Sequence, residues 1–309
     1  MLAPSVERAS GPAHDFGVAA RDRYPSYVEF LADRTGVAVP LNRLGILQVA
    51  LSEKGIKGLR RTALETGVWL DSKELHEIEP ALSHALGAML NPDDGAVDNV
   101  VLLDALRRLV STRERIDIVQ DGVTTIEAGA DSCSVVTRSG ASHRAHRLVL
   151  AAGAWVGQMS GSRFAGAVTP ARGQLVSYSS SPLRHVAYGP RGYVVPRGDR
   201  TVGGTTMEDV GFDADTTTEG IRKVRAASEE ICPRLAGAGE TRAWAGLRPV
   251  TPDMLPILGI DSGRPSLIYA CGHSRNGVLM APLTGDIIAD LVTGTPLSHD
   301  LSQFRPDRF

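Results

Sequence analysis

Apolar positions change their period several times along the chain, and each change marks an element. Residues 16–35 carry Tyr24, Val28 and Leu31 on one helical face, which predicts a helix kinked at Pro25 and stopped by Gly36. LGILQVALSE, residues 44–53, reads as a strand. In DSKELHEIEP, Asp71 is placed to cap a short helix, with Glu74 as its reciprocal partner. Asp98 is placed to cap another, in which Leu102, Leu106 and Leu109 form one stripe. Three short strands are predicted next: IDIV (116–119), SVVTRSG (134–140) and RLVLAAGAW (147–155). The last is a continuous apolar run and reads as a central parallel strand buried on both faces. Small residues at its carboxyl end, Gly153 among them, let a ligand or another backbone come close.

The middle of the chain alternates instead. GQLVSYSSS, HVAYG, GYVVPRGDRTVGGTTM and TRAWAGLRP place apolar and polar residues in turn between glycines and prolines, which predicts an antiparallel sheet. One helix interrupts it, TTTEGIRKVRAASEEICP, with Thr216 and Glu219 as a capping box and Pro233 at its end. SLIYACG (266–272) returns to a buried strand and leads through HSRNGV into a helix over 284–292, stopped by Gly294. The fold class expected is α/β, of mixed α+β character: one α/β domain interrupted by a mainly antiparallel sheet and resumed at the C-terminus.

Composition narrows the partners. With 309 residues, 42% apolar and 22% charged, the chain has the make-up of a soluble globular protein. A formal net charge of -2 gives no support to a nucleic-acid or membrane-surface partner. Cys133, Cys232 and Cys271 are odd in number and far apart, with no C-x-x-C and no clustered histidines. That argues against a disulfide scaffold or a metal site and suits a reducing cytoplasm. No apolar stretch approaches the roughly 18 residues of a membrane span. MLAPSVERAS lacks the basic and apolar regions of a signal peptide. A small-molecule protein is what remains.

Arg248 is the first candidate for chemistry. Trp244, Ala245, Leu247 and Pro249 around it imply burial, and no acidic residue is nearer than Asp253. A buried guanidinium needs an anion, and it grips a carboxylate with two parallel hydrogen bonds. The residues leave two partners open, a structural Asp or Glu and a ligand carboxylate. Gly272 and Gly277, between strand and helix, either turn backbone amides toward a phosphate or flavin or simply make a tight turn. Arg275 is a solvated loop cation or a ligand contact, Tyr193 a core tyrosine or a pocket hydroxyl, Met207 core filler or a pocket wall. His273 and Trp155 are open in the same way. An arginine, a tyrosine hydroxyl and an apolar wall in one pocket would suit a small amino acid.

In order and spacing, MLAP, PARGQL, GYVVPR, GGTTMEDVGFD, WAGLRP, GHSRNGVLMAP and FRPDRF resemble the glycine oxidases of thiamine biosynthesis, in the D-amino-acid oxidase family of FAD-dependent oxidoreductases. The resemblance spans essentially the whole chain. It implies a Rossmann-like FAD-binding domain over 1–42, 91–165 and 251–309, and a substrate domain over 43–90 and 166–250. It implies that Arg248 anchors the substrate carboxylate with help from the Tyr193 hydroxyl, that Arg275 lies near the substrate, and that Met207 lines the pocket. Flavin contacts are implied at Met1, Val123 and Gly153, and along His273, Ser274, Arg275, Asn276, Gly277, Val278 and Leu279. The implied reaction is oxidation of glycine or a related small amino acid by FAD and molecular oxygen, giving an imine, then glyoxylate and ammonia, with hydrogen peroxide. Hydride transfer from a neutral amine needs no strong protein base. A cytoplasmic homotetramer is implied as well.

Three alternatives stand beside that reading: an oxidase of N-substituted glycines, a dehydrogenase of the same fold, and a non-catalytic remnant. The last arises because the family's opening strand, G-x-G-x-x-G and helix do not occur in these residues. The first βαβ unit is therefore expected to be missing. The chain as written is then expected to bind FAD poorly, with LVLAA short of a strand neighbour.

Overall fold

The computed structural model describes residues 1–6 and 11–309, so 7–10 of the MLAPSVERAS opening lie outside the described residues. The first helical pattern forms two helices, α1 (Pro12–Asp22) and α2 (Tyr24–Thr35). They meet at Arg23. Pro25 sits in the first turn of α2, where its missing N–H is no loss, and Gly36 closes α2 in the left-handed conformation at φ 70°. β1 (Leu41–Asn42) and β2 (Ile46–Ala50) follow, then α3 (Glu53–Arg61) and β3 (Val68–Asp71). Asp71 caps α4 (Ser72–Ile78) in the expected box: its carboxylate accepts from the Lys73 and Glu74 amides, and Glu74 accepts from the Asp71 amide at 2.9 Å. β4 (Gly87–Asn91) and β5 (Ala96–Val97) precede α5 (Asn99–Ser111), which Asp98 caps and whose Leu102 enters the core.

Two strand expectations need correction. IDIV belongs to no strand, and Ile116, Ile118 and Val119 are exposed. An apolar run becomes a strand only where a neighbour takes its backbone hydrogen bonds, and none lies alongside it among the described residues. β6 (Val123–Ala128), β7 (Cys133–Thr137) and β8 (Ser142–Ala145) form a small antiparallel sheet. LVLAA yields only the three residues of β9 (Leu148–Leu150), and Val149 is 37% exposed rather than buried. The reason is position: β9 lies at the edge of a three-stranded sheet, pairing in parallel with one neighbour.

β10 (Thr169–Tyr178), β11 (Val186–Tyr188), β12 (Tyr193–Arg197), β13 (Arg200–Gly204), α6 (Thr218–Ile231) and β14 (Glu240–Val250) build the alternating region. The sheet is larger than the alternation shows, because β2, β3 and β4 join it in the order β14-β10-β13-β12-β11-β2-β4-β3. Every pairing is antiparallel except β11 with β2. α6 is capped by Thr217, not Thr216, and Glu219 bonds Arg222 at 2.8 Å instead of closing a box. Gln174 decides this: its side-chain oxygen accepts from the Thr217 amide at 2.8 Å and so holds Thr217 at the helix start. One core lies between this sheet and α6, with Val176, Val194, Val224 and Ile231. Each fully buried aliphatic side chain there contributes about 1.5–3 kcal/mol.

β15 (Ile257–Asp261) and β16 (Arg264–Cys271) complete the β9 sheet, and α7 (Gly277–Thr293) ends in Gly294. α7 starts at Gly277, not at 284, and carries Pro282 within it. A proline there leaves the carbonyl one turn back without its amide partner. That carbonyl belongs to Val278, and the buried Tyr24 hydroxyl of α2 donates to it, so the helix continues through the proline. α1, α2, α5 and α7 share a second core around Phe16, Leu31, Leu283 and Ile287.

Candidate active site

The period-two geometry of the large sheet collects the site. Arg248 on β14 pairs with Ala171 on β10, Leu175 pairs with Gly204 on β13, and Gly204 pairs with Tyr193 on β12. Opposed residues share a face, and so do residues two apart, which puts Arg248, Gly173, Gly204 and Tyr193 on one face of the sheet. Both glycines make room. A Cβ on Gly173 would stand 2.1 Å from Arg248 Nη1, and one on Gly204 would stand 2.7 Å from Tyr193 Cζ. The Arg248 guanidinium thus lies across bare backbone, donating to Thr205 Oγ1 at 2.9 Å and to the Thr206 carbonyl at 3.2 Å. Its neighbours are half-buried rather than buried, because β14 is an edge strand.

Beyond that face opens a cavity of about 300 Å³. Met1, Tyr193, Met207, Arg248, Arg275 and Asn276 all line it, so six of the expected site residues, from both ends and the middle of the chain, meet there. Tyr188, stacked on Tyr193 with ring centroids 6.2 Å apart, lines it too, as do Arg191, Thr205 and Thr206. None of the described residues lining it is Asp, Glu or His. Tyr188 and Arg191 escape a reading from sequence because HVAYG and GPRG look like strand end and turn, and position beside GYVVPR was their one signal. Thr205 and Thr206 lie inside the GGTTM motif itself.

The loop after β13 brings Met207 to the cavity and is tied down by charge. Arg172 is 4% exposed and reaches Glu208 at 2.7 Å and Asp213 at 2.6 Å. Gln174, fully buried, donates to Glu208 at 3.0 Å and to Thr217 Oγ1 at 3.1 Å. Burial alone would raise the Glu208 carboxyl, but the bonds from Arg172 and Gln174 prevail and hold it below its usual range.

The GHSRNG turn forms the wall on which Arg275 and Asn276 stand. Gly272 has φ 71°, and a Cβ there would meet Thr251 Cγ2 at 2.6 Å, so only glycine fits. Ser274 is buried and also left-handed, at φ 50°. Asn276 precedes α7 without a side-chain cap, so the first-turn amides of Gly277 and Val278 take no bond from it. Leu279 turns its side chain into the Phe16 core. Val123, at the start of β6, and Gly153, at φ 57° after β9, lie outside the cavity lining. Trp155 lies outside it as well, half-exposed against Phe212.

His273 bonds Thr284 Oγ1 through Nε2 at 3.1 Å, and burial pushes its imidazole down to about 4. The folded state therefore binds this proton less readily than the unfolded chain, whose value is 6.5. The stabilisation is complete above pH 6.5 and is lost as pH falls toward 4, by roughly 3 kcal/mol at full extent. Thermal melts should show the midpoint falling across that window, with a shallower fall in His273→Gln. An equal slope in the two proteins would remove His273 as the cause.

Over residues 1–291 the sequence matches the family model for FAD dependent oxidoreductases, DAO. The chain belongs to the FAD-dependent oxidoreductase family. Within it, the bifunctional protein ThiO/ThiG of Synechocystis sp. is 33% identical over all of this chain and 47% of that protein. The chain spans about half the length of such bifunctional relatives. The glycine oxidase of Geobacillus kaustophilus is 31% identical over 98% of this chain and 83% of its own length. A crystal structure of glycine oxidase from the same organism superposes with a TM-score of 0.91 at 29% identity, over all of this chain and 86% of that one. Among the described residues, no helix is long and apolar enough to cross a membrane, and no three His, Cys, Asp or Glu side chains group as a metal site.

Proposed function

We propose that the protein oxidises glycine or a related small amino acid, releasing an imine that hydrolyses to the keto or aldehyde acid and ammonia, with molecular oxygen reduced to hydrogen peroxide. One observation carries this: three arginines, Arg191, Arg248 and Arg275, and two tyrosines, Tyr188 and Tyr193, converge on one cavity of about 300 Å³. Such a site receives an anion of small size. Relatives described as glycine oxidases support a carboxylate beside an amine.

The residues at the turn fit the family cofactor. The first amides of α7 take no side-chain cap, and Met1 and Asn276 stand on the same cavity. FAD would be held by Met1 and the 273–279 turn, and when bound it supplies the hydride acceptor. Arg248 and Tyr193 fix the substrate carboxylate and so fix the direction of the α-carbon hydrogen. Met207 bounds the space left for a side chain. Hydride transfer from the neutral amine calls for no strong protein base. The FAD-binding and substrate domains proposed for the chain would then meet at this cavity.

Purified protein supplied with FAD should release peroxide from glycine, sarcosine or D-alanine, and a titration of FAD absorbance should saturate. Peroxide from none of the three would overturn the reading. Dye reduction under anaerobic conditions without aerobic peroxide would assign a dehydrogenase instead. We propose a reducing cytoplasm as its setting, where the three buried cysteines stay thiols.

A further inference from the structure

A larger cavity, of about 760 Å³, shares no lining residue with the active-site cavity. Arg43 after β1, Arg184 before β11 and Arg197 at the end of β12 line it, with Asp98 at the start of α5. Three guanidiniums thus meet one carboxylate. That carboxylate is already shared: it accepts from the Val100 and Val101 amides at 3.0 and 3.2 Å and stands 3.7 Å from Arg197. Arg197 is 24% exposed and donates to Asn99 at 2.5 Å, and its buried Nε has no partner among the described residues. Arg43 and Arg184 are exposed, and neither is held in an ion pair among the described residues. Asp22 and Asp93 border Arg43 on a smaller neighbouring hollow without pairing with it. The backbones beneath the two free cations are fixed all the same. Asn42 donates to the Arg184 carbonyl at 2.9 Å and accepts from the Leu44 amide at 3.0 Å, and the buried Glu79 accepts from the Arg184 amide at 2.8 Å. Anchored stems lower the ordering cost of gripping a ligand. Val97, Leu183 and Val195, all buried, add an apolar lining beside the charge.

We infer that this cavity binds a small phosphate monoester, with the phosphate among Arg43, Arg184 and Arg197 and an apolar body against Leu183 and Val195. Charge decides the headgroup. Three guanidiniums less one carboxylate leave an excess of two positive charges on the lining. A phosphate monoester carries a charge of about −1.5 to −2 at neutral pH and matches guanidinium forks with paired oxygens, whereas a carboxylate brings a single charge. The apolar side of the lining decides the body, because inorganic phosphate alone would leave Val97, Leu183 and Val195 facing water. The volume is that of an ordinary small-molecule site, roughly 300–1,000 Å³. Ala3 lines the active-site cavity, Ala96 and Val195 line this one, and all three pack in one small core. The two sites are therefore neighbours with separate walls, and the ester leaves the Arg248 cavity open.

Phenyl phosphate and phenyl sulfate have nearly the same shape and differ by about one charge at neutral pH, and inorganic phosphate lacks the apolar body. Dissociation constants for all three are measured by calorimetry on the full chain, on the Arg43→Ala/Arg184→Ala double variant and on Arg248→Ala. Wild type should bind phenyl phosphate about tenfold more tightly than phenyl sulfate, the size of one added charge-assisted contact, and more tightly than inorganic phosphate. The double variant should lose roughly tenfold or more of that affinity while its melting temperature stays put, since both side chains are exposed. Arg248→Ala should bind as wild type does, and added salt should weaken binding. No saturable binding of phenyl phosphate overturns the inference, and so does equal binding of the two esters, which would mark an adventitious ion only. Affinity kept in the double variant also overturns it, as does affinity lost in Arg248→Ala, which would place the ester in the active-site cavity.

Discussion

Arg248→Ala raises KM for the amino-acid substrate and lowers kcat/KM by about thirty-fold to a few thousand-fold. Truncating one partner of a hydrogen-bonded charge pair in a desolvated site costs about 2–5 kcal/mol, and each 1.4 kcal/mol is a factor of ten. FAD absorbance titration should be unchanged, because the expected cofactor contacts lie on Met1 and the 273–279 turn and not on β14. Arg248→Lys should recover part of the loss: an ammonium keeps the charge but not the two parallel donors. Steady-state peroxide kinetics over a range of glycine concentrations measures both. A KM unchanged in Arg248→Ala would remove Arg248 from the site.

Gly173→Ala reproduces much of that defect without touching the arginine itself. Its new Cβ would stand 2.1 Å from Nη1, 2.4 Å from Nη2 and 2.5 Å from Cζ of Arg248, closer than any real contact allows. The atoms that must move are the far end of a flexible side chain, so the fold yields easily and the guanidinium shifts. A displacement of about 1 Å at a positioning group costs on the order of a hundredfold in rate. The expected result is a fall in kcat/KM of that order with a melting temperature within a few degrees of wild type. In an Arg248→Ala background the same substitution should have little further effect, since the group it displaces is gone. Additive losses would show that Gly173 acts through something else.

Much of the local structure was legible. Asp71 and Glu74 announced their capping box, Asp98 its helix, and Gly36 and Gly294 their helix ends, because each of these interactions closes within a few residues. The alternation of GQLVSY, GYVVPR and TRAWAGLRP announced a sheet, because burial of one face imposes a period of two on any strand. The motifs also identified the family, and Met1, Tyr193, Met207, Arg248, Arg275 and Asn276 do reach one cavity.

What local pattern missed depends on distant partners. The sequence places the start of α7 at 284, whereas the helix begins at Gly277 and runs through Pro282, where the hydroxyl that compensates the proline comes from Tyr24, 254 residues away from the carbonyl it serves. The N-cap of α6 moved from Thr216 to Thr217 because Gln174, 43 residues earlier, takes the Thr217 amide. IDIV and LVLAA have the composition of buried strands, yet burial depends on neighbours that composition does not supply.

By itself, then, the sequence determined the periods, the caps that close within a few residues, such as Asp71 and Asp98, and the family of this protein. Only the tertiary structure decided which side chains share a cavity. It set Arg248 over the bare backbone of Gly173 and brought Arg191, Arg248 and Arg275 to one cavity. The physical reason is range. Periodicity and capping are fixed by contacts within a turn or a strand, whereas a site is made of strand register and missing Cβ atoms on segments far apart in the chain.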